Sequence, residues 1–189
     1  MEKTVTTAFA AAVLGAAAAL GAYEITPAVQ KELTRQAEIV KGWAASPVVV
    51  KAVLEQNARG PLPGMDNEAW TAVRRSDDVI KKLTSSEAGR FLSKKVEDSD
   101  GLYVRAFLSG SRGEKAAFTE KTISYLHKGS PKFDAPFASG RTWQGSPELD
   151  VLTETLDIQI SAPVLSDGKS VGVLTVGISL QKLEKAATK

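Results

Sequence analysis

The 189-residue sequence has no cysteine and a single histidine, His127. Without cysteine there are no disulfides, thiolate metal sites, thiol nucleophiles or covalent haem links. One histidine excludes the multi-histidine metal centres of many hydrolases. An excess of one charge is missing too: 24 Lys and Arg stand against 22 Asp and Glu, a formal net charge of +2. The balance is even along the chain, six basic against five acidic residues through Gly60 and eighteen against seventeen beyond it. No basic face is concentrated enough to make nucleic acid a partner. Catalytic signatures are absent as well. The Gly-x-Ser-x-Gly match at Gly168-Lys-Ser-Val-Gly172 falls on a hairpin turn running into a strand, not on the strand-to-helix turn of a nucleophile elbow, and Gly110-Ser-Arg-Gly113 lacks the Gly-Lys-Ser/Thr ending of a phosphate loop. Glu97, Asp98 and Asp100 cluster, but adjacent carboxylates in a turn do not give the two distinct environments that general acid–base work needs. These absences point to a binding module rather than an enzyme, with no metal, no cofactor and no catalytic residue expected.

What is present is an ordinary globular composition, 43% hydrophobic and 24% charged. After Met1-Glu2-Lys3 the chain runs uncharged and alanine-rich from Thr4 to Tyr23. A short charged start, an apolar run and small residues at its end are the pattern of a secretory signal peptide. About 20 uncharged residues also suffice for one membrane-spanning helix, so an N-terminal anchor is the alternative. Both place the rest of the chain outside the cytoplasm, in the periplasm or beyond.

Thr26-Pro27 is a helix start, with Thr as N-cap and Pro at the first helical position. Val29, Leu33, Ala37, Val40 and Ala44 then recur at spacings of three and four, an apolar stripe along one face. Ser46-Pro47 repeats the signal and predicts a kink or a fresh helix through Asn57. Gly60-Pro-Leu-Pro-Gly64 is a loop. Asp66 and Ser76 are expected to cap short helices carrying Trp70 and Ile80, and Ser85 to Val96 is weakly helical. The period changes at Gly101. Leu102, Val104, Ala106 and Leu108 alternate with Tyr103, Arg105 and Phe107, as in a strand that uses both faces. A second strand is predicted within Glu114–Thr122, a loop or short helix over 129–140, and a third strand at Arg141–Gln144. Two long strands follow, Leu156–Leu165 and Val171–Leu180, joined at Ser166-Asp-Gly-Lys169 by a hairpin turn. The implied fold is α+β: a long N-terminal helix packed on a roughly five-stranded antiparallel sheet, the helices segregated to one side.

In this layout the second half resembles the extracellular Cache sensor domains, PAS-like sensing modules of bacterial receptors. The resemblance rests on Asp100-Gly-Leu-Tyr-Val-Arg-Ala-Phe-Leu108, Arg112-Gly-Glu114, Thr119 to Thr122, Tyr125 and Phe137-Ala-Ser-Gly140. It continues through Leu156-Asp-Ile-Gln-Ile-Ser-Ala-Pro-Val164 to Val171-Gly-Val-Leu-Thr-Val-Gly-Ile178, the most specific block. Ala45 to Val53 is similar to the long N-terminal helix of that family. The resemblance covers roughly residues 27 to 183 and implies one Cache unit, not two; with the leader read above, the chain divides as leader (1–22), long helix and loop (23–64) and sensor core (65–189). Where such domains commonly read Asp-Tyr followed by Gln-Gly-Asp-Glu, this chain has Ser124-Tyr125 and then His127-Lys-Gly-Ser-Pro131. Fewer carboxylates and more basic groups at the pocket edge favour an anionic or neutral ligand over a cation.

Several residues are candidates for that pocket. Arg105, placed on a face with Tyr103 and Phe107, can clamp a carboxylate through two parallel hydrogen bonds, or snorkel to solvent from an edge strand. Tyr125 and His127 fall in the loop that, by resemblance, covers the pocket mouth, and a histidine in such a loop titrates near neutral pH. Arg141 and Trp143 would add a second cation and an aromatic wall. Asp150 would take an amino group if the ligand is zwitterionic, or serve a turn, and Thr153 follows it. Gln159, like Ser161, is pocket lining or solvated. The expected function is capture of a small organic acid or amino acid by an exported sensor-type domain without its own output domain. A ligand-free interaction module is the rival. A membrane receptor or transporter, or a second copy paired through the N-terminal helix, are the protein partners these readings imply.

Overall fold

Helix α1 (Pro27–Ala44) begins where Thr26-Pro27 signals it: the Thr26 hydroxyl accepts the Val29 amide at 3.3 Å, and Pro27 fills the first turn without leaving a donor unmet. The computed structural model describes residues 23–150 and 155–188. The leader expected at 1–22 and the candidate Thr153 lie outside the described residues. Ser46-Pro47 starts a fresh helix, α2 (Pro47–Arg59), which ends at Gly60 with φ 75°. Three short helices follow: α3 (Asn67–Ala72), α4 (Asp78–Thr84) and α5 (Glu87–Glu97). Asp66 caps α3 through the Ala69 amide at 2.8 Å, and Ser86 caps α5 through the Gly89 amide at 3.0 Å. Helix α4 begins after Asp77, one residue later than the sequence suggests.

The sheet is antiparallel and six-stranded. Its strands are β1 (Tyr103–Gly110), β2 (Lys115–Phe118), β3 (Trp143–Gln144), β4 (Glu148–Asp150), β5 (Thr155–Ser166) and β6 (Lys169–Ser179). They run in the order β2-β1-β6-β5-β3, with β4 also pairing β5. The β5–β6 hairpin turns at Asp167 (φ 50°) and Gly168 (φ 74°), two consecutive left-handed residues that match the right-handed twist of the strands. The sixth strand, short β4, escaped the sequence reading because its three residues carry no period. So did α7 (Leu180–Ala187), which follows the last predicted strand; Ser179 caps it, and Leu180 and Leu183 are buried.

One face of the sheet is apolar. Leu33 and Val40 of α1, Val49 and Val53 of α2, and Leu92 of α5 pack on Leu108, Ile158, Ile160, Leu174, Val176 and Ile178. The predicted α1 stripe is buried at Val29, Leu33, Val40 and Ala44, with Gln36 and Trp43 added to it. A satellite cluster of Trp70, Ile80, Phe107, Phe118 and Tyr125 wraps the β2 edge. The expected segregation of all helices to one face needs correction. Helix α6 (Pro131–Ser139) lies on the opposite face, over β5 and β6. That face cannot stay open, because Asp157, Ser161 and Thr175 point from it and are buried. Among the described residues no helix is long and apolar enough to cross a membrane.

Leu33 is wholly buried at the centre of the α1 interface. Leu33→Ala should cost about 2–5 kcal/mol, read as a lowered urea midpoint at unchanged slope.

Candidate functional site

The face under α6 carries the chemistry. Along β5, Asp157, Gln159 and Ser161 alternate with Ile158 and Ile160, so the polar residues point away from the apolar core. Opposite them on β6 stand Ser179, Gly177 and Thr175, in register. The Ser161 and Thr175 hydroxyls bond to each other at 2.9 Å, which satisfies both in a dry setting.

Arg105 reaches this face because the β1–β6 register shifts between Tyr103 and Arg105. Such a bulge breaks the two-residue alternation, and it separates two side chains that the sequence places together. Tyr103 turns to the helix side: its hydroxyl donates to Gln36 at 2.5 Å, and its ring meets Trp43 edge-on at 4.7 Å. Arg105 and Phe107 point the other way. The Arg105 guanidinium donates to Asp157, whose side chain is 1% exposed. Gly177 leaves room for that contact, since a Cβ there would lie 3.0 Å from the Asp157 carboxylate.

Above this floor the residues enclose a cavity of about 290 Å³. Its walls include Arg105, Phe107, His127, Lys132, Glu148 and Gln159, and the segment 120–124 forms its rim. Lys132 Nζ, from the first turn of α6, donates to Gln159 at 3.0 Å. The His127 ring stacks on Phe107 with centroids 4.6 Å apart. Within the cavity Arg105 and Lys132 stand near Gln159 and the carboxylate of Glu148, with Lys121 and Glu120 at the rim and Asp157 already engaged by Arg105. The arrangement can bind one carboxylate through two cationic groups while a histidine and a phenylalanine pack its carbon skeleton.

His127 is not the open, titrating loop residue the sequence suggests. It is buried, and desolvation, reinforced by the charges of Lys115 and Lys132, pushes its pKa down to about 2. Burial likewise lowers the Lys132 amine, with Glu148 and Asp157 pulling it back up. Tyr125 is also relocated. It packs against Trp70, and its hydroxyl accepts the Leu62 amide at 2.9 Å, away from the cavity. Trp143 pairs with Ser161, which puts it on the cavity face but at the edge strand and outside the lining. Arg141 precedes β3, is exposed, and does not reach the lining. Asp150 closes β4 opposite Thr155. The cavity therefore gathers Arg105, His127 and Gln159 from the candidates, and leaves Tyr103, Tyr125, Arg141 and Trp143 elsewhere. Lys132 was missed; its only sequence signal is the Ser130-Pro131 helix start one residue before it. Among the described residues no cluster of His, Asp or Glu is built to hold a metal.

Comparison with solved structures finds similar chains in bacterial receptors. The ligand-binding domain of the Pseudomonas aeruginosa amino acid chemoreceptor PctC, in complex with GABA, is 14% identical with a TM-score of 0.48, over 84% of this chain and 58% of that one. The sensory domain of the Campylobacter jejuni chemoreceptor Tlp3 with isoleucine bound is 14% identical with a TM-score of 0.46, over 88% and 69%. The V. cholerae histidine kinase DctB sensor domain is 16% identical with a TM-score of 0.44, over 85% and 58%. The chain thus spans about 58% of the length of the first of these neighbours. They are sensory and ligand-binding domains, the kind the sequence resembles. No family model matches the sequence, and no curated protein matches it. What the cavity holds is decided by its own residues.

The His127 environment predicts a pH dependence. The folded state holds the ring neutral to about pH 2, whereas the unfolded chain protonates it near 6.5. Stability is therefore intact above about pH 6.5 and falls as the pH drops below it, because only the unfolded state takes up the proton. Between pH 6.5 and 5 the loss should approach about 2 kcal/mol more in wild type than in His127→Leu, measured by urea unfolding at each pH.

Proposed function

We propose that this chain is an exported sensor-type domain that captures a small organic acid or amino acid in the cavity between the sheet and α6. The observation that carries this reading is a hollow on the α6 side of the sheet walled by Arg105, Lys132, His127 and Gln159. Cores rarely gather cations without a use for them, and desolvated cations facing a cavity of ligand size favour a carboxylate guest. Arg105 is held in place by Asp157, which lowers the cost of ordering it when a guest binds. The resemblance to the Cache domains supports a sensing role with a long helix and loop (23–64) before the core (65–189), and the charged start followed by an uncharged run supports a leader (1–22). It also supports a periplasmic or extracytoplasmic location and delivery of the bound state to a membrane receptor or transporter. Ligand seated on β5 and β6 would pull on strands whose other face packs on α1, which gives the helix a means of reporting occupancy.

A thermal-shift panel of small dicarboxylates, monocarboxylates and amino acids tests the proposal. At least one should raise Tm by several degrees at millimolar concentration, since a ligand stabilises only the state it binds. The shift should vanish in Arg105→Ala and shrink in Lys132→Met, the second variant serving if the first folds poorly. A flat response to the whole panel in a well-folded sample rejects ligand capture and leaves the interaction module as the better account.

A further inference from the structure

Lys115 is a buried basic group that the carboxylate site does not use. It stands opposite Ser109 where β2 pairs with β1, and its side-chain nitrogen lies 3.4 Å from the centroid of the Phe107 ring. The residue is 1% exposed, and the nitrogen has no hydrogen-bond partner. A ring face offsets only part of the cost of burying an ammonium. Burial, with the charges of Lys132 on α6 and Arg105 on β1, holds the Lys115 pKa well below the ordinary lysine value. His127, stacked on the same Phe107 ring, is kept neutral as well. A lysine in such a setting exchanges its third proton for a lone pair, and a neutral amine is a nucleophile.

Its surroundings narrow the electrophile it can meet. Phe107 lines the α6 cavity and covers the amine, which is why Lys115 is absent from the cavity wall. An organic acid has no path past that ring in the packed state. Carbon dioxide is uncharged and three atoms long, so small openings of the packing admit it. The product of its addition is an anion. The two cations that make an ammonium costly here make an anion favourable, so one covalent change turns a like-charge cluster into an opposite-charge one.

We infer that Lys115 is a carbon dioxide site, forming a reversible carbamate beside Phe107 that Lys132 and Arg105 stabilise. The Nζ lone pair adds to the carbon, one C=O electron pair moves onto oxygen, and the nitrogen releases one proton to solvent. Protonation of the nitrogen and departure of carbon dioxide reverse the step, with no oxidant or reductant. The inference stands apart from capture of an organic acid and does not require it. The test incubates the folded chain in isotopically labelled bicarbonate at mildly alkaline pH, fixes carbamates by alkylation with triethyloxonium, and maps them by peptide mass. Lys115 should carry at least about ten times the label of any other lysine, because ordinary lysines stay protonated there. Lys132→Met should raise the bicarbonate needed for half labelling by about tenfold, since it both removes a partner of the carbamate and returns the proton to Lys115. Lys115→Met should lose the label, and the wild-type map decides if that variant folds poorly. Label spread over other lysines without preference for Lys115 overturns the inference. So does an unchanged half-labelling point in a folded Lys132→Met.

Discussion

A carboxylate whose side chain is 1% exposed stays ionised inside a protein only if a cation meets it, and Arg105 meets Asp157. Much of the outer sheet face is arranged around that pairing. It needs Arg105 and Asp157 on one side of the sheet, which the register shift in β1 accomplishes. It needs room between them and β6, which Gly177 supplies. It also needs cover from water, which α6 and the segment before it provide. With those three conditions met, the guanidinium faces a hollow rather than solvent, and a structural ion pair becomes the floor of a candidate ligand site.

The two faces of the sheet divide the work. The side toward α1, α2 and α5 is apolar and close-packed, and it accounts for most of the burial. The side toward α6 buries hydroxyls, an amide, a histidine and several charges, whose satisfaction must be arranged one by one. Uneven satisfaction there is informative. Ser161 and Thr175 complete each other, whereas the Lys115 ammonium and His127 Nε2 have no hydrogen-bond partner. Polar groups left in that state are where a guest, or a water standing in for one, gains most.

The sequence was most legible where periodicity and capping coincide. Thr26-Pro27, Ser46-Pro47 and Asp66 mark helices that the structure contains, and Asp167-Gly168 marks its hairpin. The long strands β5 and β6 were readable from alternation and β-branched content. The site was legible in part. Gln159 could be placed because β5 alternates without interruption to that point, and Arg105 because a cation among apolar neighbours invites a use. Tyr103 was misplaced because nothing in Tyr-Val-Arg announces a bulge, and an unbroken period-two reading assigns the wrong face to one of the pair. His127 looked exposed among Lys128, Gly129 and Ser130, although Phe107, distant in sequence, stacks on its ring. Lys115 and Lys132 were passed over for the same reason: burial of a lysine is decided by tertiary packing that no local pattern records.

The displaced register in β1 also limits how this domain can diversify. Were the strand regular at its present length, Tyr103 and Arg105 would share one face, and the contacts to Gln36 and to Asp157 could not both be made. Substitutions along the rim at 120–124 face no such penalty, since they alter the opening without touching the pair beneath it. New guests are therefore to be sought through changes in the covering segment, with the separation of Tyr103 and Arg105 across the sheet preserved.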